Sequence, residues 1–519
     1  MRPESDYDGL AAAADARAKA DWLVGMNASR AHTFAWHRSL SLGRVRTPTL
    51  TMVVQRDLAI ESHKPTPFWR LIVPMDGWTL ESGKIEDQVM ARRILADAMG
   101  LPVEILEVRR RREHAKPPTL FDLTGLQKAM SDRHGLTAEQ TLDCLQHLYE
   151  MKVATYPRTD SKYITHDDVD GLKELLQPKY AVGFLDQKPV EAIHDLYSAG
   201  GFDPMRCVAD DKVQGHTAIL PTRRLTYDVF QHDLTDMERE VIAVILTRMW
   251  SACATDRVHD TVKVEAVLDE RHADGSMERV PLSASSDVTV EAGWTAIEGT
   301  SRTDDAEKKP VNRIPDSLGK GPLPQSGAPS LTEGVSAPPK PFTEATLLSA
   351  MEHASRFVAD SDLKAALDDD TSHSGGIGTP ATRAGILESL VKSGYLQRKG
   401  KQLRSTPAGR MLVGVAIDEL KDVKLTAQWE QSLADIEQGK GDETVFLNEI
   451  RTACAAMPGR VMEMTRRDNL QQLVRQAGER ESFGPCPRCG KPVVKTGSVW
   501  QCSSNKSVKD DAGAWKLNE

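Results

Sequence analysis

Apolar and polar positions follow two different periods along this chain, and the changes of period mark its parts. From about residue 5 to residue 59 apolar positions recur at helical spacing: Ala11–Ala20 mixes alanines with charges, and Trp22, Leu23 and Val24 continue the stripe, with a break at Gly43. From about Phe68 to Val108 short runs such as FWRLIVPM and VEILEV predict strands. Lys116, Pro117 and Pro118 punctuate the chain. Beyond them LFDLTGLQKAMSDRHG and TAEQTLDCLQHLYEMK predict two amphipathic helices divided by Gly135, the second capped by Thr137 with Glu139 and Gln140 in its first turn.

A helix is predicted again in LTDMEREVIAVILTRMWSAC, and strands in DTVKVEAVL and SSDVTVEAGWTAI. A second strand-rich stretch so late implies that the first strand domain is completed here, around an inserted helical part. Residues 301–341, rich in Pro, Gly, Ser and Lys, predict an exposed loop or linker. Helices resume at Phe342 and run with interruptions to about Gln476. The expected division is helical (1–60), strand-rich (61–115), an insertion (116–225), strand-rich with a linker (226–340), helical (341–476) and a short tail (477–519). This is a multidomain α+β protein.

Composition narrows the class. The 519 residues are 40% hydrophobic and 27% charged, and no apolar run approaches the ~18 residues that a membrane span needs. No apolar stretch follows a basic start, so secretory targeting is not expected. Seven cysteines in this length form no disulfide framework and fit a reducing, cytoplasmic compartment. The net charge of −9 does not announce a nucleic-acid binder, although a concave surface can be basic within an acidic protein.

The segment ATYPRTDSKYI at 154–164 carries the clearest chemistry. Pro157 pushes Tyr156 towards an extended conformation, in which Tyr156 and Arg158 share a face. A phenol is a poor nucleophile unless a cation stabilises its phenolate, and a guanidinium does so while also forking onto a phosphate. Attack on a phosphodiester is therefore sensible chemistry for this pair, against the plainer reading of a buried tyrosine beside a surface arginine. His216, in HTAILPT, suits donation to a phosphate oxygen or a proton shuttle, or else is structural. SLGRVRTPTL offers Arg44 and Thr47 among small and basic groups that suit phosphates; its plain reading is a polar helix start. GGIGTPATR opens a helix at Thr379-Pro380, where free amides with Thr379, Thr382 and Arg383 make an anion site, or simply a packed helical turn. The run Arg109–Arg112 reads as a solvated strand end.

In this order the motifs resemble the type IA DNA topoisomerases, most closely the bacterial topoisomerase III branch. The resemblance runs through RAKADWLVGMN, SLGRVRTPTL, PPTLFDLTGLQKAMS, TYPRTDSKYI, HTAILPT, PKPFTEATLLSAME, GIGTPATR and LTAQWEQSLADIEQGK, nearly the whole chain. It implies a torus in which helical gate domains (1–60 and 341–476) are joined by a β-rich arch, with the tyrosine-bearing domain inserted in the arch. It implies that Tyr156 cuts one DNA strand and stays on its 5′ phosphate while another strand passes, with Arg158 on the phosphate and His216 assisting. Arg44, Thr47, Thr379, Thr382 and Arg383 would contact the single-stranded segment, the expected partner. Arg46 stands where the family usually has glutamine, which puts base contacts there in doubt.

Two departures shape further expectations. Family members begin with an α/β domain that brings a glutamate and an Asp-x-Asp cluster for Mg2+, and only 16 residues precede Arg17. The metal half of the site is thus expected to be missing, and a separate chain carrying it becomes a candidate partner. Cys486, Cys489 and Cys502 look like three ligands of a zinc ribbon whose fourth ligand does not follow, so Zn2+ is an open expectation. The alternative to an incomplete topoisomerase is a non-catalytic single-stranded DNA-binding protein. A tyrosine recombinase is disfavoured because Tyr156 precedes His216.

Overall fold

The computed structural model describes residues 7–213, 215–271, 277–298, 312–357, 376–477, 482–486, 492–496, 499–502, 507–509 and 515–517. It opens on two helices, α1 (Asp8–Trp36) and α2 (Arg46–Ser62). Ala13, Ala16, Ala20, Val24 and Ala28 form the buried stripe of α1, and their small side chains let it lie close against helices Lys424–Glu437 and Glu443–Met464. The helix stops at His37, in the left-handed region at φ 51°, six residues before the expected break at Gly43.

Next comes the sheet: β1 (Pro67–Met75), β2 (Trp78–Ser82), β3 (Val103–Ala115), β4 (Arg257–Arg271), β5 (Met277–Glu291), β6 (Gly321–Leu323) and β7 (Ser330–Val335), with α3 (Gln88–Ala98) between β2 and β3. The strand order is β6-β3-β4-β5-β2-β1-β7, antiparallel throughout. Leu71, Val73, Leu80, Ile105, Val264 and Leu282 pack with Ile94 and Ala98 of α3. β3 pairs with β4 across the insertion, Val108 opposite Val264 and Arg112 opposite Asp260. β6 and β7 come from the stretch expected to be a linker; its Pro and Gly content conceals two edge strands, the places where a sheet tolerates such residues. β3 is buried at Val103 and Ile105 and then runs on largely exposed, carrying the chain about 30 Å further at strand rise. On that stretch Arg109 pairs with Glu107 and Arg112 with Asp260, a solvated strand end.

The inserted unit holds α4 (Leu123–His134), α5 (Ala138–Glu150), α6 (Val169–Leu175), α7 (Gln187–Ser198), α8 (Asp236–Cys253) and α9 (Thr295–Glu298). Thr137 caps α5 reciprocally with Gln140. Leu123, Leu126, Leu145, Leu148, Ile164 and Ile219 share one core with Val241, Ile245 and Trp250 of α8. The unit therefore reaches past residue 225, because α8 is apolar on several sides and needs cover from all of them.

The last helical part begins with α10 (Glu344–Glu352) and helix Pro380–Lys392, followed by the hairpin of β8 (Leu396–Lys399) and β9 (Gln402–Ser405). It packs with α1 and α2 in a single core that includes Leu50, Val53, Leu348, Met351, Leu387 and Trp429. The two helical parts are one body. In the tail, Ser482–Pro485, Pro492–Thr496 and Val499–Cys502 form a three-stranded antiparallel sheet.

Candidate active site

Tyr156 sits where three segments of the inserted unit cross. Ala154 bridges Pro221, Thr155 N–H donates to Leu220 O at 2.9 Å, and Thr155 Oγ1 accepts from Leu220 N–H at 2.9 Å. The HTAILPT segment is in turn held by Ala218 N–H to Tyr163 O and by Ile219 N–H to Phe121 O. The tyrosine and the histidine, 60 positions apart in sequence, are thereby laced together by backbone bonds. The Tyr156 and His216 rings stack with centroids 4.1 Å apart and planes at 28°, and Tyr149 stands edge-on to Tyr156 at 5.5 Å. The chain bends at Pro157 and Arg158, so it is not extended from Tyr156 to Arg158 as the proline spacing predicts. Arg158 and His216 nonetheless line one cleft.

Arg158, Thr159, Asp160 and His216 line a cleft of about 400 Å³ whose opposite wall is Leu10, Ala14 and Arg17 of α1 and Thr379, Pro380 and Ala381. Tyr156 is half-buried behind His216 and does not itself line the cleft. Among the described residues no ion pair or hydrogen bond engages the Arg158 guanidinium, and it is exposed to the cleft. The facing wall is a helix N-terminus: Pro380 occupies the first turn, and Thr382 Oγ1 accepts from Thr379 N–H at 3.0 Å. Gly376, at φ 92°, makes the approach to this helix, since a Cβ there would stand 2.1 Å from Met351 O. An exposed arginine, a histidine and the positive end of a 13-residue helix thus converge on one opening, an arrangement that suits a phosphate.

The remaining basic candidates are placed differently from the expectation of groups open to a strand. Arg44 is 5% exposed; it forks onto Asp21 at 2.8 and 3.0 Å, reaches Glu430 at 3.0 Å and lies over the Trp429 ring. Burial opposes its charge, but Asp21 and Glu430 outweigh that and raise its pKa. Thr47 is buried and its Oγ1 accepts from Gly43 N–H at 3.0 Å. Arg383 is 1% exposed, donating to Thr124 Oγ1 at 3.2 Å and Ile377 O at 3.3 Å. Thr379 and Thr382 are exposed. Arg46 fastens α2 to helix Pro380–Lys392 through Ser389 O and Ser393 Oγ.

Sequence reasoning missed the residues that join these motifs. Glu430, in LTAQWEQSLADIEQGK, accepts from both Arg17 and Arg44 and so ties three distant motifs together. Glu352, ending PKPFTEATLLSAME, accepts from Lys128 Nζ at 2.6 Å and Lys162 Nζ at 3.5 Å. Lys162 also stands 3.7 Å from Asp122, the N-cap of α4. With Arg383 on Thr124, Glu344 on Ala138 N–H and Lys392 on Glu139, these groups form a polar seam between the inserted unit and the helical body. The detectable signal was an acidic residue carried within a motif, Glu352 in PKPFTEATLLSAME and Glu430 in LTAQWEQSLADIEQGK.

A family model described as DNA topoisomerase matches residues 5–448. DNA topoisomerase 3 of Bacillus subtilis (strain 168) is 31% identical over 534 residues, covering 100% of this chain and 69% of that protein. DNA topoisomerase 3 of Shouchella clausii is 34% identical over 505 residues, covering 94% of this chain and 64% of that one. The full-length topoisomerase I structure from Thermotoga maritima shares the fold at a TM-score of 0.59 and 19% identity, covering 96% of this chain and 77% of that one. The chain belongs to the type IA DNA topoisomerases. It spans about two thirds of the length of the topoisomerase 3 relatives.

For a type IA topoisomerase two metals come into question. Among the described residues no group of three or more His, Cys, Asp or Glu side chains gathers in one place. In the tail, pairing of Pro485 with Pro492 and of Val493 with Cys502 puts Cys486 and Cys502 at the same end of the small sheet. Cys489 lies outside the described residues. No described helix is long and apolar enough to cross a membrane.

Proposed function

We propose that this chain carries the strand-cutting tyrosine and the gate of a type IA DNA topoisomerase acting on single-stranded DNA. The observation that carries the reading is the Tyr156–His216 stack at the edge of a cleft shared by Arg158 and the helix N-terminus at Thr379. The Tyr156 oxygen attacks the phosphorus, the P–O3′ bond breaks, and the 3′ oxygen leaves as a hydroxyl after taking a proton. The DNA 5′ phosphate stays on the tyrosine, and attack by the same 3′ hydroxyl reverses the step. Arg158 holds the phosphate and stabilises charge that grows on its oxygens, while His216 orients the phenol by stacking and moves a proton at the cleft edge. Thr379 and Thr382 receive the neighbouring phosphate at the helix start. Arg44, Thr47 and Arg383 act behind that surface, holding α1, α2 and helix Pro380–Lys392 in register.

Type IA topoisomerases generally depend on Mg2+. Zinc in the tail, through Cys486 and Cys502 with Cys489, is a further proposal; chelation should then loosen the tail without changing the main unfolding transition. The gate is the polar seam around Glu352, suited to opening because both faces are charged and accept water when parted. A cytoplasmic, nucleoid-associated location follows from the same reading.

The test uses oligonucleotides labelled at either end, incubated with Mg2+ and, in a second arm, with the α/β domain of a family member added. A 3′-end label should become protein-linked and a 5′-end label should not. The reverse pattern would overturn the assignment. The second reading, single-strand binding without cleavage, is favoured by Tyr156 standing half-buried outside the lining of the cleft. Tight binding with no protein-linked label in either arm would decide for it.

A further inference from the structure

Two thiols touch inside the inserted unit, away from the cleft. Cys207 ends the short turn Pro204–Cys207 and Cys253 ends α8; their Sγ atoms are 3.5 Å apart, and both residues are buried. Backbone bonds fix the approach: Asp203 N–H donates to Cys253 O at 2.8 Å, and Phe202 bridges Ala254. Cys207 also lines a second cleft, of about 540 Å³, with Lys116, Lys162, Tyr163 and Arg206. Cys207 is thus the one of the two cysteines that a cleft reaches, and a small oxidant could approach from there. The other sulfur is enclosed, and its contact with Cys207 together with burial pushes the Cys253 thiol well above the ordinary cysteine range.

We propose that Cys207 and Cys253 are a modification site at which hydrogen peroxide installs a reversible disulfide. The Cys207 sulfur attacks one peroxide oxygen, the O–O bond breaks, and a sulfenic acid and water form. The Cys253 sulfur then attacks the sulfenic sulfur, its thiol proton leaves with the hydroxyl as a second water, and the S–S bond closes. Two thiols are oxidised and one peroxide is reduced to two waters. The bond would link positions 46 apart in sequence, enclosing the segment that carries His216, and would brace Cys207, whose carbonyl accepts from Ile164 N–H at 2.9 Å. Restricting the unfolded chain in this way raises the melting temperature of the oxidised form.

The experiment treats the full chain with hydrogen peroxide, blocks free thiols, and maps peptides without reduction while recording thermal melting. The expected result is a linked peptide pair joining Cys207 to Cys253, a melting temperature several degrees higher, and reversal of both by dithiothreitol. Cys207→Ala and Cys253→Ala should each abolish the linked pair and the rise, measured against their own untreated melts. Overoxidation of Cys207 without linkage, pairing of either residue with a tail cysteine, or a rise that persists in Cys207→Ala would overturn the proposal. None of these readouts depends on DNA cleavage.

Discussion

At the scale of single residues, Tyr156, His216 and Arg158 carry separable expectations. Tyr156→Phe keeps the ring that stacks on His216 and removes only the nucleophilic oxygen, so it should abolish DNA cleavage while single-strand affinity changes less than about twofold. Arg158→Ala should slow cleavage by roughly 10²–10³ and also weaken single-strand binding, since its guanidinium meets the phosphate both before and during attack. His216→Ala should slow cleavage by roughly 10²–10⁴ with little loss of binding. Single-turnover rates and filter binding on the three variants check this, and equal losses of rate and affinity in all three would show a folding defect instead. Tyr156, Arg158 and His216 were singled out in sequence by residue type; the structure adds that Tyr156 stacks on His216 and that Arg158 and His216 share a cleft, while their roles stay a proposal. The burial of Arg44 and Arg383 was not legible, because sequence cannot distinguish an arginine that faces solvent from one whose carboxylate or hydroxyl partners lie hundreds of residues away, as Glu430 and Thr124 do.

At the scale of elements, the seam sets how tightly the inserted unit holds to the helical body. Burial works against the Glu352 carboxylate, but Lys128, Lys162 and Arg383 outweigh it and hold its pKa below the ordinary glutamate value. A depressed carboxylate stabilises the folded seam above the ordinary pKa of about 4.3, and that contribution is lost as pH falls through the lowered value. Asp122 has the opposite sign: burial raises its pKa, so its contribution favours the fold in acid and is lost as pH rises through the raised value. Glu352→Gln should cost about 1–3 kcal/mol near neutral pH, and the deficit should shrink in acid. Denaturant melts of parent and variant across pH measure it; a deficit that widens on acidification would mean that Glu352 is not held by the lysines. The capped helix α5 and the strands β1 to β5 were legible because their period and caps are local. β6, β7 and the allegiance of α8 were not, because edge pairing and core membership are decided by partners far along the chain.

At the scale of the whole molecule, an acidic chain is expected to hold single-stranded DNA locally, through Arg158 and the helix N-terminus at the cleft. Affinity should fall steeply with salt through counterion release and should favour single strands over duplex of equal length. Titrations at several salt concentrations check both, and indifference to strandedness at every salt would remove the cleft from the account. The continuity of the sheet across an insertion of more than a hundred residues was legible in sequence only as a return of strand periodicity; the direct pairing of β3 with β4 shows it. Peptide mapping of the DNA-linked protein, formed on single-stranded oligonucleotide with Mg2+ and the α/β domain of a family member, tests Tyr156 as the nucleophile most directly. The linked nucleotide should map to Tyr156, and Tyr156→Phe should yield no linked peptide. A nucleotide on any other residue, or a linked peptide that survives in Tyr156→Phe, contradicts the account.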